Sequence, residues 1–232
     1  MGASHHETMQ AGPCRRGRPK LVPDEQLRAR VVEDAFQLFV AHGYGRTTMD
    51  EVAATCRMSK RTLYRLFPGK LDLFIAVVDA HRRSMLALPG DYEGLPLDRA
   101  LEQIFRIDIS PAEEQARTAL IRLVVGEVRQ FPELGEVLRR HGGDRSRAEL
   151  AAWLSARHEA GQMVIDDAAA MARMLMDMIF GAVLSKATGE LDWPGGDARR
   201  THVRRCISVF LHGSLPMDTG RAVMREVAGS GE

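Results

Sequence analysis

The chain has 232 residues, 45% of them hydrophobic and 27% charged, so its composition is that of an ordinary globular protein with enough residues to bury a core. No apolar run is long enough to cross a membrane, and the beginning of the sequence lacks the apolar stretch of a secretory signal, so we expect a cytoplasmic protein. The three cysteines are widely spaced and odd in number, which excludes a disulfide framework and a CxxC metal site.

The formal net charge of +1 conceals two parts of opposite charge. Residues 1–70 carry twelve Lys/Arg and seven Asp/Glu, a balance of +5, whereas the remaining residues carry twenty and twenty-four, a balance of −4. Because a basic segment attracts polyanions and an acidic one repels them, the sequence predicts that only the first part meets a nucleic acid.

Residues 1–23 are rich in glycine and proline and show no helical apolar repeat, which predicts a flexible basic arm. Within the arm, Arg16-Gly17-Arg18-Pro19 resembles the core of an AT-hook, in which an extended Arg-Gly-Arg lies in a narrow minor groove. Arg16 and Arg18 are therefore candidate DNA contacts. Nonspecific attraction to phosphates and an arm without any binding role are the alternatives.

Helical signals begin at Asp24. Apolar residues from Leu27 to Phe39 recur in steps of three and four, which predicts a helix over 24–42 that ends at Gly43. A capping box at residues 48–51 predicts a second helix over 49–56. Ser59 then caps a third helix over 60–67, and a fourth is predicted over 70–88.

The rest of the chain continues as amphipathic segments separated by proline and glycine. Helices are predicted near 96–109, 111–130, 132–141, 144–160, 167–188 and 197–213, and residues 218–232 are predicted to form a short helix or a frayed tail. Since no stretch alternates with period two, the expected fold class is all-α.

The second and third helices are short and closely connected, as in a helix-turn-helix. Five cations and no acidic residue occur between Val52 and Leu71, around the starts of the third and fourth helices. A recognition helix enters the major groove with its N-terminal end, where cations and exposed amides bind phosphate. A charge run is usually only a solvated face, but its position here favours DNA binding. The five cations are Arg57, Lys60, Arg61, Arg65 and Lys70.

These segments resemble the TetR/AcrR family of bacterial repressors. Residues 43–53, GYGRTTMDEVA, are similar to the family's approach to its second helix, and residues 59–70, SKRTLYRLFPGK, to its recognition helix and the lysine that opens the fourth helix. The resemblance covers residues 25–75. It implies a three-helix DNA-binding domain over 24–70 and a helical ligand-binding and dimerisation domain over 71–232.

The predicted DNA contacts combine these cations with small polar side chains. Thr62 suits base edges or a phosphate, and the Tyr64 hydroxyl suits a phosphate, whereas Leu63 and Phe67 should face inward onto apolar residues of the first two helices. The full set of predicted DNA contacts is Arg16, Arg18, Thr47, Thr48, Arg57, Ser59, Lys60, Arg61, Thr62, Tyr64, Arg65 and Lys70.

Two positions depart from the family pattern. The turn before the third helix has Cys56-Arg57 where the family usually has Ala-Gly, so Arg57 must tolerate a conformation that favours glycine and adds a possible phosphate contact. Arg61 replaces a frequent glycine. It is placed to read guanine through two hydrogen bonds, or else to contact a phosphate.

The run from Leu120 to Leu134 resembles the AefR-like subgroup of C-terminal domains, a resemblance that names no ligand. A pocket is expected among helices 4 to 8. Adaptable methionines and Glu127 could meet a ligand there, although an ordinary core and an ion-paired or solvated glutamate are the alternatives. The candidate pocket residues are Met85, Leu101, Ile104, Phe105, Leu123, Val124, Glu127, Trp153, Met174 and Met178.

The last two long helices are the candidates for a four-helix dimer interface, because small residues on one and an apolar stripe on the other allow close approach of a second copy. A purely intramolecular core is the alternative. The candidate interface residues are Gly181, Ala182, Ser185, Val203, Ile207, Phe210 and Leu211.

The predicted function is that of a repressor that binds palindromic double-stranded DNA as a homodimer and is released by a small apolar or amphipathic effector. Two alternatives stay open: a redox-responsive regulator that signals through Cys56, and a helical module that binds a protein partner. The sequence contains no paired-carboxylate, metal or nucleophile constellation, so neither an enzyme nor a cofactor is expected.

Overall fold

The computed structural model describes residues 23–184 and 196–214, and all regular structure in these ranges is helical, which confirms the predicted all-α fold. The helices are α1 (Asp24–His42), α2 (Met49–Thr55), α3 (Lys60–Leu66), α4 (Lys70–Met85), α5 (Leu97–Ile104), α6 (Pro111–Glu127), α7 (Pro132–Val137), α8 (Arg145–Glu159), α9 (Ala168–Leu184) and α10 (Gly196–Ser214). The predicted arm before residue 23 and the predicted tail over 218–232 lie outside the described residues. No helix in these ranges has the length and apolar character to span a bilayer.

The predicted break at Gly142-Gly143 is wrong, since the chain stays helical from Pro132 to Glu159. Leu138–Asp144 forms a π-helical segment that joins α7 directly to α8. A Cβ atom on Gly142 would lie 3.3 Å from Leu138 Cδ1 and 3.8 Å from Val78 Cγ1, so glycine here permits close packing of this segment on α4. Such π-helical turns are rare and often occur at functional sites.

A first apolar core unites α1–α4 with α6 and α7. It is formed by the buried residues between Val31 and Val78 together with Leu120, Leu123, Val124, Leu134 and Val137. Leu63 and Phe67 join this core beside the apolar residues of α1 and α2, as predicted for the inner face of the third helix. The boundary predicted after residue 70 coincides with the start of α4, and the first core extends across it.

A second core fills the rest of the protein. It contains the buried apolar residues of α5, α8, α9 and α10, and it includes Leu86 and Leu88, which follow α4. Because α4 begins in the first core and ends at the second, a displacement of this helix affects both. α10 is tied to α6 by the buried Arg199, whose Nε lies 3.2 Å from Glu114 Oε1 and whose Nη2 donates to the carbonyl of Ile107 at 2.6 Å.

The two faces of α3 give a first prediction. Leu63→Ala removes a side chain that is completely buried in the first core, so we expect the free energy of unfolding to fall by about 2–5 kcal/mol in denaturant titrations. Tyr64→Ala, at the next and half-exposed position, should change it by less than about 0.5 kcal/mol. Equal losses for the two variants would contradict this assignment of the faces.

Candidate nucleic-acid interface

Side-chain caps fix the starts of α2 and α3. The Ser59 Oγ accepts the Thr62 amide at 3.1 Å and lies 2.8 Å from the Thr62 hydroxyl, so both polar groups help to begin α3. Thr48 Oγ1 accepts the Glu51 amide at 3.2 Å in the same way for α2. The predicted return bond of the capping box is not formed, because the Glu51 carboxylate lies 2.7 Å from His42 Nδ1 instead.

Three exposed side chains around the start of α3 are available to a partner. Arg57 adopts a left-handed conformation with φ of +53°, as its departure from the family pattern predicts. Arg57 and Arg61 are exposed, and neither has an ion-pair partner within the described ranges. Tyr64 on the same short helix is 47% exposed. These residues therefore present two uncompensated cations and a phenol hydroxyl to the solvent.

Two further cations of this surface are already paired with carboxylates of other helices. Lys60 Nζ lies 2.7 Å from Asp50 Oδ2, and Arg65 makes a bidentate contact with Asp24 at 2.6 and 2.9 Å. The hydrogen bond from Arg65 lowers the pKa of Asp24. All four side chains are exposed, so these pairs orient the cations without preventing their exchange to a phosphate.

Thr47 and Lys70 support the loop over residues 43–48, which we call the head loop. Thr47 is fully buried, and its hydroxyl donates to the carbonyl of Gly43 at 2.8 Å. Lys70 Nζ donates to the carbonyls of Tyr44, Gly45 and Thr47 at 2.8, 3.3 and 2.9 Å. Burial lowers the pKa of Lys70. The prediction of a DNA contact for Thr47 is therefore wrong, since its side chain is completely buried. Lys70 is only partly buried, so its phosphate contact stays a prediction beside its role inside the fold.

The head loop is also held by the end of α6. The amide of Gly45 donates to Glu127 Oε2 at 3.1 Å, and the rings of Tyr44 and Phe131 lie 5.4 Å apart. A Cβ atom on Gly45 would lie 2.7 Å from the Phe131 ring. Gly43 has a φ of +86° and would place a Cβ 2.5 Å from Glu127 Oε1. Glycine at these two positions thus lets α6 and α7 reach the loop that precedes α2.

Arg16 and Arg18 belong to the predicted arm and lie outside the described residues, as does Ser185 of the predicted dimer interface.

An apolar cavity of about 170 Å³ lies between α4, α6, the π-helical segment, α8 and α9, and it contains only one of the predicted pocket residues, Met85. Its wall also includes Val78 and Arg82 of α4 and Ile121 and Val125 of α6. The spacing of these residues, in steps of four along each helix, was the available sequence signal. It does not reveal which neighbouring helix covers that face, so the prediction missed them.

The other pocket predictions fall elsewhere. Leu101, Ile104 and Phe105 are buried in the second core, against which Trp153 and Met178 also pack, while Val124 is buried in the first core. Leu123 and Glu127 line a different, wider groove of about 750 Å³ between α1 and α6. Met174 is 60% exposed and lines none of these spaces, so its assignment to a pocket is wrong.

The predicted dimer stripe is part of the fold of one chain. Val203, Ile207, Phe210 and Leu211 are buried in the second core, where α10 packs against α5 and α9, so they are not free to meet a second copy. Gly181 lies on α9, and the side chain of Ala182 lies outside the description. Among the described side chains of these two helices, the large apolar ones that are exposed are Met174 and Val209.

The structure argues against redox signalling through Cys56. The thiol is buried beneath α3, and burial together with a hydrogen bond to Asp34 raises its pKa to about 12. Since the thiolate is the reactive form, this cysteine is held in its inert state.

Two family models match the chain. The model described as bacterial regulatory proteins, tetR family, matches residues 31–77, which contain the helix-turn-helix. The model described as the AefR-like transcriptional repressor, C-terminal domain, matches residues 99–213. The two matches correspond to the two resemblances in the sequence.

Relatives of known sequence or structure agree with these matches. An HTH-type transcriptional regulator of Mycobacterium tuberculosis is 31% identical over 153 residues, which are 65% of this chain and 71% of the relative. The DNA-binding transcriptional repressor TetR of Mycobacteroides abscessus is 32% identical over 156 residues, 63% of this chain and 80% of the relative. The solved TetR transcriptional regulator from Agrobacterium tumefaciens has the same fold, with a TM-score of 0.63 and 21% identity over 85% of this chain and 97% of that one.

The burial of the cysteines gives a second prediction. In a Cys14→Ser background we expect neither Cys56 nor Cys206 to react with a disulfide reagent at pH 8 in the native protein, because burial raises the pKa of both thiols. Both should react after unfolding in guanidinium, as monitored by released thiolate absorbance with free cysteine as the reference. If Cys56 reacted in the native protein at the rate of free cysteine, the hypothesis of redox signalling through Cys56 would be supported again.

Proposed function

The chain belongs to the TetR family of transcriptional regulators, and from this premise we propose that it is a ligand-responsive repressor. In this proposal it binds a palindromic operator as a homodimer and leaves the operator when a small effector occupies the part of the chain after residue 70. The relatives are regulators of transcription and not enzymes. Because bacterial operators lie in the cytoplasm, the proposed function implies a cytoplasmic protein.

The observation that carries DNA binding is the exposed, unpaired pair Arg57 and Arg61 at the capped start of α3. A helix that enters the major groove places its N-terminal residues against base edges, with flanking cations on phosphates. In this arrangement Arg57 precedes the helix and suits a phosphate, whereas Arg61 lies on the first turn. We propose DNA contacts for Thr48, Arg57, Ser59, Lys60, Arg61, Thr62, Tyr64 and Arg65.

The proposed dimer uses the outer faces of α9 and α10. Met174 and Val209 are 60% and 65% exposed, so each of the two helices presents a large apolar side chain on its outer face. Two helices from each of two chains would bury them in a four-helix bundle. A twofold pair of recognition helices then fits half-sites one helical turn apart or a multiple of it.

Effector release is proposed to act on the head loop. The apolar cavity is bounded by α4 and α6, and these two helices hold the same loop through Lys70 and Glu127. A ligand that favours a different packing of α4 against α6 therefore changes the support of α2 and α3. It must bind the DNA-incompetent arrangement more tightly, because equal affinity for both arrangements shifts nothing.

Base reading and phosphate binding are separated by a third prediction, which compares two exposed arginines. Arg61→Ala should relax base preference at one position of each half-site and cost about 1–3 kcal/mol of binding per half-site, if this side chain contacts a guanine. Arg57→Ala removes one phosphate contact from each subunit of the proposed dimer, so it should weaken binding to all sequences alike and lower the slope of log K against log salt by about 1.8. Selection from random duplexes followed by salt-dependent anisotropy titrations measures both effects.

The outcomes of this comparison are distinct. If Arg61→Ala behaves as Arg57→Ala does, Arg61 contacts a phosphate. If wild-type protein binds no duplex in a salt-dependent manner, DNA binding is wrong and the face of α3 serves another partner.

The link between α6 and the head loop gives a fourth prediction. Glu127→Ala leaves the amide of Gly45 without its acceptor, so we expect the free energy of unfolding to fall by about 1–3 kcal/mol. Affinity for operator should fall by a larger factor than affinity for random DNA, because the loop positions the recognition helix and therefore its base contacts. The control is Glu133→Ala on α7, which has the same charge change at an exposed site. Identical results for the two variants would show that the Glu127 contact does not support the head.

A further inference from the structure

We propose that the effector of this regulator is a small aromatic carboxylic acid, one ring in size, held in the apolar cavity with its carboxylate directed to the end where Arg82 lies. The inference rests on the proposed function for its regulatory meaning, but the binding site itself is tested separately.

The size of the cavity limits the ligand. Its volume is about 170 Å³, and an apolar protein cavity of about 150 Å³ is known to hold one benzene molecule. The wall is mainly aliphatic and thioether, with Met85 and Met176 able to adapt to the outline of a ring. A single ring with one short polar substituent therefore fits, whereas a fused multi-ring molecule requires the walls to move.

The wall contains a rare local structure that accounts for its shape. Leu138, Gly142 and Gly143 of the π-helical segment all line the cavity, and the two glycines contribute no side chain to fill it. An ordinary helical turn with larger residues here would occupy the space between α4 and α8. The cavity therefore exists because two backbone positions of this segment carry no side chain.

Arg82 supplies a buried donor on this wall. Its side chain is only 3% exposed, and it is ion-paired with Glu149 through Nη1. Its Nε is buried and has no hydrogen-bond partner. An unpaired buried donor costs free energy, and a ligand acceptor that reaches the Arg82 guanidinium would remove that cost.

Arg117 is a second buried cation near this end, although it does not itself line the cavity. It lies on α6 one turn before Ile121, and its guanidinium donates to the carbonyl of Ser84, the residue before Met85. Arg117 is 1% exposed and its Nε has no partner, while the nearby glutamates are taken: Arg106 pairs with Glu113 and Arg199 with Glu114.

The buried cluster around Arg117 holds more cations than anions, since Arg199 and Arg106 accompany it with Glu114 and Glu113. Burial, then the neighbouring Arg199 and Arg106, lower the pKa of Arg117 to about 10, which reflects the cost of burying this cation, and the nearby Glu114 and Glu113 offset only part of that cost. Among the described residues, Arg117 is a buried guanidinium without a carboxylate ion-pair partner. A ligand carboxylate at this end would reduce that cost.

The other polar groups of the wall do not compete strongly for an anion. The guanidinium of Arg147 is ion-paired with Asp144, and His81 Nδ1 lies 3.0 Å from the carbonyl of Val77. Asp177 is exposed and marks the solvent side of the cavity. Since Asp177 is the one group of the wall that would attract a cation instead, an amine is the decisive competitor in the test.

The test is calorimetric titration of the full-length protein with benzoate, benzyl alcohol and benzylamine, which share the ring and differ in charge. We expect benzoate to bind at least tenfold more tightly than the other two. Tighter binding of benzylamine, equal binding of all three, or binding of none would overturn the proposal.

Variants locate the site. Arg82→Gln should weaken benzoate at least tenfold and change benzyl alcohol less than threefold. Arg147→Gln is the matched control, because it removes a guanidinium of the same wall that is already paired with Asp144, and it should leave benzoate binding within threefold. If Arg82→Gln unfolds, Arg82→Gln with Glu149→Gln removes both partners of the buried ion pair and keeps the comparison. A greater loss in Arg147→Gln than in the Arg82 variants would contradict the assigned end of the cavity.

A second measurement separates this inference from the proposed function. The same three compounds are added to the protein bound to its selected operator, and release is followed by anisotropy. Benzoate binding that depends on Arg82 without DNA release supports the ligand site and counts against effector release. Release by benzyl alcohol or benzylamine, but not by benzoate, supports effector release and rejects the acid.

Discussion

The architecture of the proposed DNA-binding face depends on how the head loop is held. Its carbonyls are bound by the ammonium group of Lys70 at the start of α4, and its Gly45 amide is bound by the Glu127 carboxylate at the end of α6. Both partners are charged, and hydrogen bonds to charged groups are stronger than neutral ones. Since the loop leads directly into α2, and α2 and α3 share the first core, the position of the recognition helix follows from these contacts.

This arrangement connects the two ends of the molecule without a flexible linker. The first core joins the helix-turn-helix to α6 and α7, and α4 passes from that core to the second one. The apolar cavity lies where α4 and α6 separate, close to the π-helical segment. A change in the packing of α4 against α6 reaches the head loop directly, because Lys70 and Glu127 on these two helices bind that loop. The proposed effector site and the proposed DNA face are therefore connected without further intermediate elements.

The proposed DNA face has fewer unpaired cations than the composition of its segment indicates. The acid-free stretch between Val52 and Leu71 contains five cations, but carboxylates from α1 and α2 pair with Arg65 and Lys60, and the loop carbonyls take Lys70. Two arginines therefore carry the uncompensated charge at the start of α3. The near-neutral total charge of the protein conceals this concentration in the same way that it conceals the difference between the two parts of the chain.

The sequence by itself determined the helices of the head, their caps, the inward face of α3 and the family, because helical periodicity, capping residues and turn glycines act over a few positions. Tertiary structure decided the partners. The apolar stripe that includes Val203 and Ile207 was evident, but whether α5 and α9 or a second copy covers it depends on residues far away in the chain. The same holds for Glu127, whose carboxylate meets a loop 82 residues earlier, and for Thr47, which packing buries completely. Periodicity specifies which face of a helix is apolar or charged, whereas only the folded chain brings the complementary group to that face.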